Sequence, residues 1–430
     1  MGQHHSLQYG TQSLPSQVGC RSCGTILRHS FVDLGMSPLC ESFRAESQRD
    51  EMEPFYPLHV LACEKCFLVQ QSHEIAPEHI FSEYAYFSSY STSWVEHARR
   101  YCMMIQARLS LGKDSLVVEL ASNDGYLLQH FLPFDIPVIG IEPAQNVAKA
   151  ALAKGVHTRT EFFGLDVARR MAAGGERADL IVANNVLAHV PNINDFVSGI
   201  ACLLKIDGVV TFEFPHLLRL IEGNQFDTIY HEHFSYLSLL AVSAAVDRHQ
   251  LKIFDVEELP THGGSLRVYC CSRQAGRATE ASVPELLARE RSRGLDQITS
   301  YTLFTEQVRR TKRALLSLLI CIKNQGKRIC GYGAPGKGNT LLNYCGIGTD
   351  FLDFTVDKNP YKHGLYTPGT HIPIRPVAAL NECKPDYILI LPWNLKEEII
   401  SQMRHAADWG AKFITPIPEA KIVDVDGELR

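Results

Sequence analysis

The sequence predicts an α/β protein in three parts: a small cysteine-rich N-terminal domain and two Rossmann-like domains behind it. Three observations carry that reading. Two Cys-x-x-Cys pairs bracket residues 20–66, strand and helix signals alternate through 115–272, and a second strand–glycine loop–helix unit opens at Lys327. Alternation of this kind is the trace that a parallel, doubly wound sheet leaves in a sequence. The 430 residues suffice for two or three domains that each bury a core, with boundaries expected at 1–76, 77–282 and 283–430.

The first nineteen residues show no basic start followed by an apolar run, so they read as a disordered leader and not as a secretory signal. Cys20-x-x-Cys23 and Cys63-x-x-Cys66 then form two knuckles. A two-residue gap lets two thiolates wrap one corner of a tetrahedral Zn²⁺, and four sulfur ligands leave no open position. The expected zinc is therefore structural. Cys40, inside the long loop between the knuckles, stands as a possible substitute ligand. The remaining cysteines read as free thiols of a reducing cytoplasm.

In the second part, strand-like runs fall at Ser115–Ala121, Pro137–Ile141, Asp179–Ala183 and Val209–Phe214, with a helix over Ala144–Ala153. Leu251–Glu257 and Leu266–Cys271 read as a closing antiparallel hairpin. Loop one, Glu119–Leu128, leaves a strand and opens a helix, where backbone amides can meet a ligand. Asn123, Asp124 and Gly125 form its tip. Glu142, with Pro143 after it, ends the next strand, where an acid commonly takes a ribose diol. Together they suggest an adenosine-bearing cofactor, NAD or S-adenosylmethionine. Phe162 and Phe163 are candidates to sandwich its adenine, and Asn184 and Asn185 follow the fourth strand.

The third part begins with one or two amphipathic helices over 284–325. Loop two, Cys330–Tyr344, carries Gly333, Pro335, Gly336, Lys337, Gly338 and Asn339 between a strand and a helix. Gly338 stands where a P-loop needs Ser or Thr, which argues against ATP hydrolysis. The expected ligand is a diphosphate in a cradle of backbone amides with Lys337 added. Asp357 is the matching ribose acid, and Trp393 and Asn394 close the crevice, Trp393 being available to stack on a base.

The densest chemistry lies in YHEHFSYLS, from Tyr230 to Ser238. A phenol, two imidazoles and a carboxylate within four residues suit proton transfer near neutral pH. An exposed polar turn and a His-x-His metal pair are the competing readings, the latter because His231 and His233 would share a face of an extended segment. Composition excludes other classes. A net charge of −5 gives no general attraction to nucleic acid or anionic membranes, and no window is long and apolar enough to span a bilayer.

Taken in order, the knuckles, ELASNDGYLL, NNVLAHV, FDTIYHEHFSYLS and GYGAPGKGNTLLNY resemble the nucleotide-sugar C-methyltransferases of deoxysugar pathways, from about Cys20 onward. The resemblance implies a class I methyltransferase fold in the middle domain, S-adenosylmethionine at loop one and a dTDP-linked sugar held partly by the C-terminal domain. It also implies methyl transfer to C3 of a 4-keto sugar, with Tyr84, His189, Tyr230, Glu232 and His233 as the active-site set. A base would remove the C3 proton, which the C4 carbonyl acidifies. His233 is the expected base, with Glu232 positioning it or acting instead. A cytoplasmic monomer is expected. An NAD(P)-dependent oxidoreductase acting on nucleotide sugars is the alternative, although no Tyr-x-x-x-Lys pair is evident.

Overall fold

The computed structural model of the chain describes residues 18–73, 75 and 87–424. Tyr84 lies outside the described residues. The core of the molecule is a seven-stranded sheet with the spatial order Leu251–Leu259, Ser265–Ser272, Leu204–Pro215, Ala178–Asn184, Val117–Leu120, Val138–Ile141 and Thr158–Arg159. Ser265–Ser272 pairs antiparallel with both its neighbours, and every other pair is parallel. This is the class I methyltransferase sheet, closed by the predicted hairpin. Val117–Leu120 and Val138–Ile141 are buried at every position, because helices cover both faces of a central parallel strand. Strand order reverses between Val117–Leu120 and Ala178–Asn184, which opens a crevice at their C-terminal ends. Loop one and Asn184–Asn185 line it.

The C-terminal domain repeats the theme in six strands, ordered Ile374–Pro376, Thr355–Asp357, Ile329–Tyr332, Tyr387–Ile390, Lys412–Thr415 and Lys421–Val423. All pairs are parallel except the last. Its own reversal, between Ile329–Tyr332 and Tyr387–Ile390, places loop two beside Pro392 and Trp393. Helices Ser282–Ser292, Ile298–Thr302 and Phe304–Asn324 connect the two domains. The longest buries Phe304, Val308, Thr311, Leu315, Leu319 and Ile322 at helical spacing.

The N-terminal domain holds a four-stranded antiparallel sheet in the order His29–Ser37, Tyr56–Ala62, Val69–Gln71 and Ser235–Tyr236. Its fourth strand comes from the YHEHFSYLS segment, more than a domain away in sequence. Val69 pairs with Tyr236 and Gln70 with Ser235. The histidine-rich segment thus joins the N-terminal sheet, which fixes where its side chains point.

Candidate active site

The four knuckle thiols converge until all their Sγ atoms lie within 4.8 Å of one another. Both knuckles are closed by the same backbone turn, Gly24 N to Cys20 O at 2.8 Å and Phe67 N to Cys63 O at 3.0 Å. Hydrogen bonds from Cys63 and Cys66 hold Cys20 below the usual thiol range. A tight tetrad of thiols fits one tetrahedral zinc with no position left for substrate. Cys40 is no part of it. Its buried thiol lies 3.7 Å from Glu232 Oε1, and burial pushes its ionisation well up.

At loop one, Ala121, Asn123 and Gly125 all take positive φ, so Ala121 adopts a conformation glycine would find easier. Glu119, only 1% exposed, has no hydrogen-bond partner on either carboxylate oxygen among the described residues. The buried Oδ1 atoms of Asn184 and Asn185 are equally unanswered. Buried polar atoms left open cost roughly 1–3 kcal/mol each, and a ligand bearing an ammonium and hydroxyls satisfies such a set. S-adenosylmethionine fits these residues. Sequence reading passed over Glu119, although a lone acid in the buried strand VVEL was its signal. Glu142 braces the loop: its Oε2 accepts from Asn123 N and its Oε1 from Ala144 N, both at 2.9 Å. Each oxygen retains a second lone pair for a hydroxyl, and Pro143 sits half-buried beside it. Asn123 Oδ1 accepts from Ser88 N at 2.8 Å, and Asp124 pairs with Lys154 at 2.9 Å. Phe163 packs edge-on against Phe196 and so serves the core, whereas Phe162 remains 45% exposed at the surface.

The YHEH segment forms a tight turn closed by His233 N to Tyr230 O at 2.9 Å. His233 Nδ1 lies 2.9 Å from the Thr228 carbonyl. A carbonyl only accepts, so Nδ1 carries the proton and Nε2 keeps its lone pair. Burial, then the neighbouring His189, holds the imidazole well below its ordinary range, and it is neutral at pH 7. His189 and Tyr230 flank it with ring centroids at 4.7 and 4.1 Å. Burial lowers His189 itself to about 4. Glu232 does not touch the His233 imidazole through Nδ1, so the positioning expected of it falls to Thr228. Burial and then the nearby Glu41 push Glu232 up to about 8, which leaves it a hydrogen-bond donor at neutral pH. His231 turns the other way, its ring 5.9 Å from that of Tyr56 in the N-terminal sheet. That divergence removes the His-x-His metal reading.

Loop two differs from its expected use. Cβ atoms added at Gly333, Gly336 and Gly338 would lie 2.5 Å from Pro392, 2.9 Å from the Cys40 sulfur and 2.9 Å from Leu391. The glycines therefore admit protein neighbours, with Gly333 also at φ +87°. The Glu41 carboxylate accepts from the Gly336 amide and faces Lys362 at 3.6 Å, so a protein carboxylate already holds that part of the amide cradle. Asn339 donates to the Cys40 carbonyl at 2.6 Å. Asp357 braces the loop through Ala334 N at 2.7 Å and Asn359 N at 2.8 Å. Trp393 is buried and donates to Asp227 Oδ2 at 2.6 Å, so its ring is not open to stack on a base. Half-buried Pro335 caps the helix start. Lys337 points into the cleft between the domains, 2.8 Å from Asn394 Oδ1 and 5.0 Å above the Trp393 ring.

A third imidazole, missed in the sequence, faces this cleft. His262 takes a left-handed backbone, φ 53° and ψ 24°, and its Nε2 lies 3.4 Å from Asn185 Nδ2. Burial and then the Lys337 charge lower it to about 4. The cleft thus gathers His189, Tyr230, Glu232, His233, His262 and Lys337 beside the Glu119–Asn185 crevice.

Three family descriptions match successive parts of the chain: a zinc binding domain at residues 20–81, a methyltransferase domain at 94–256 and a C-methyltransferase C-terminal domain at 260–418. The C-methyltransferase NovU of Streptomyces niveus is 34% identical over 410 residues, covering 95% of this chain and 98% of that protein. Among solved structures, an S-adenosylmethionine-dependent methyltransferase from Clostridium acetobutylicum overlaps 41% of this chain and 92% of its own at 10% identity and TM-score 0.33. Magnesium protoporphyrin IX methyltransferase of Synechocystis, solved with bound S-adenosylmethionine, overlaps 41% and 80% at 14% identity and TM-score 0.31. Among the described residues, no helix is long and apolar enough to cross a membrane.

Proposed function

Because the chain belongs to the S-adenosylmethionine-dependent C-methyltransferases, we propose that its acceptor is C3 of a 4-keto deoxysugar carried on a nucleoside diphosphate, dTDP foremost. The observation that carries this reading is His233, a neutral imidazole with Nδ1 tied to Thr228 and Nε2 unprotonated among potential proton donors. Carbon becomes nucleophilic only when a proton leaves, and an adjacent carbonyl makes that proton removable. His233 Nε2 takes the C3 proton. The C3–H electron pair becomes the C3–C4 double bond, and charge moves onto the C4 oxygen. Neutral Glu232 and Tyr230 are the candidate donors to that oxygen, whereas the one N–H of neutral His189 is taken by the Glu232 carbonyl. S-adenosylmethionine, held by Glu119, Asn184 and Asn185, would supply the electrophilic methyl group for C3, leaving as the neutral thioether. The base contributes about 10²–10⁴ in rate, and one placed donor about 3–4 kcal/mol.

Glu119, Asn184 and Asn185 hold the cofactor in this reading, with Glu142 free to accept from its ribose. Lys337, the cation loop two turns into the cleft, meets the diphosphate, with Asn394 steering its ammonium. Tyr84 belongs to the proposal by motif. Incubation with S-adenosylmethionine and a panel of dTDP-linked 4-keto sugars should give a product heavier by one methyl group, located at C3 by NMR. Methylation at oxygen or nitrogen, or none on any 4-keto sugar, contradicts the reading.

The rate should depend on pH from two sides. His233, shifted down, gives an acid limb below the ordinary histidine range. Glu232, raised to about 8, should cost activity as it ionises above that pH. Glu232→Gln keeps a donor that cannot ionise, so the alkaline limb near 8 should disappear while neutral activity remains within about tenfold.

A further inference from the structure

Two adjacent glutamines join the knuckle to the YHEH turn, one facing each. Side chains alternate along a strand, so Gln70 and Gln71 of Val69–Gln71 face opposite ways. Gln70 faces the knuckle. It accepts from Arg21 N at 2.8 Å and donates Nε2 to the Cys20 sulfur at 3.2 Å. Gln71, 2% exposed, faces the YHEH turn. Its Nε2 donates to the Tyr230 carbonyl at 2.6 Å and the His233 carbonyl at 2.9 Å, and its backbone N to Phe234 O at 3.0 Å. Both amide hydrogens of one side chain are therefore spent on the two carbonyls that bound the catalytic turn. Within that turn the base is oriented by its own hydrogen bond, Nδ1 to the Thr228 carbonyl. From the far side, Thr340 Oγ1 donates to Ile229 O at 3.1 Å.

We infer that Gln71 is a positioning residue of the methyl-transfer reaction, setting the angle at which His233 Nε2 meets the acceptor carbon and linking the zinc knuckle to the base. The inference rests on His233 being the base. Nothing else on the Val69–Gln71 strand donates to the turn except the backbone amides, which cannot tell one side chain from another. Removing the Gln71 amide leaves the ladder pairs Val69–Tyr236 and Gln70–Ser235 in place but frees the turn to pivot about them. A base displaced by about 1 Å can lose on the order of 10²-fold in rate while binding survives.

Gln71→Met keeps length and bulk but has no N–H. It should lower kcat about ten- to hundredfold with both KM values within about twofold. Exchange of the C3 proton with solvent deuterium, measured without S-adenosylmethionine on a 4-keto dTDP-sugar, should slow in parallel. Zinc content and S-adenosylmethionine affinity should match the parent protein. Leu58→Ala, a core change in the neighbouring strand Tyr56–Ala62, controls for simple loosening of the domain: it should lower Tm yet leave exchange per folded molecule unchanged. Parent-like exchange in Gln71→Met overturns the inference, as does an exchange loss that Leu58→Ala reproduces at equal Tm. If the parent enzyme itself exchanges no C3 proton, the acceptor chemistry proposed above is what fails.

Discussion

Loop one and loop two are built alike and filled differently. Each follows a central strand and is braced by an acid at the end of the next strand, but loop two opens the α-helix Gly336–Cys345, whereas loop one, against expectation, leads only into the single 3-10 turn Leu128–His130. Glu142 holds Asn123 N and Ala144 N, and Asp357 holds Ala334 N and Asn359 N, in the same two-armed grip. Loop one leaves Glu119, Asn184 and Asn185 with buried atoms that no described residue answers. In loop two, Pro392, Leu391, Cys40 and Glu41 stand where added Cβ atoms would go. The strand–loop motif thus specifies a backbone shape, and the unsatisfied atoms decide whether that shape holds a ligand or another part of the protein.

The largest effect that would break this contrast is at Glu119. Glu119→Leu should cut S-adenosylmethionine affinity about ten- to hundredfold, from the loss of charge-assisted hydrogen bonds worth ~1.5–3 kcal/mol. It should also raise the Tm of the ligand-free protein, since a buried unpartnered carboxylate is removed. Unchanged cofactor affinity in calorimetry would place the cofactor elsewhere. Next is Gly333→Ala, whose Cβ would meet Pro392 at 2.5 Å on a positive-φ backbone. Overpacking and strain should destabilise the C-terminal domain by about 2 kcal/mol in denaturant unfolding, with cofactor affinity intact. A neutral result would mean loop two has room for a ligand after all.

A smaller effect separates the two neighbours Lys337 and Trp393. Lys337→Ala should raise KM for the nucleotide sugar several-fold through loss of a phosphate contact. Trp393→Phe strips Asp227 of its 2.6 Å donor and should cost about 1–3 kcal/mol of stability with little change in KM. Reversed outcomes would make Trp393 the ligand and Lys337 the strut.

Why the sequence revealed some of this and hid the rest follows from distance along the chain. The central strands were legible because burial on both faces makes each a short unbroken apolar run. Thr158–Arg159 and Ser235–Tyr236, two residues each, carry no period to read. The N-terminal sheet was hidden for the same reason, since one of its strands is lent by a segment far away. The knuckles and YHEH were legible because their chemistry is local. Their partners were not: Cys40 reaches Glu232 across 192 positions and Gln71 reaches His233 across 162. In loop two the sequence could not show what stands beside its glycines, because glycine spacing reports the room next to a backbone and says nothing about what occupies it.

The central claim is that His233 enolises a 4-keto sugar before any methyl moves. His233→Asn preserves size and hydrogen bonding but cannot accept the proton at pH 7. Solvent-deuterium incorporation at C3 of a dTDP-linked 4-keto sugar, followed without S-adenosylmethionine, isolates that step. The parent enzyme should exchange the proton, and His233→Asn should bind both ligands yet exchange about 10²–10⁴ more slowly. Exchange that persists in His233→Asn and vanishes in Glu232→Gln would contradict the account and make Glu232 the base.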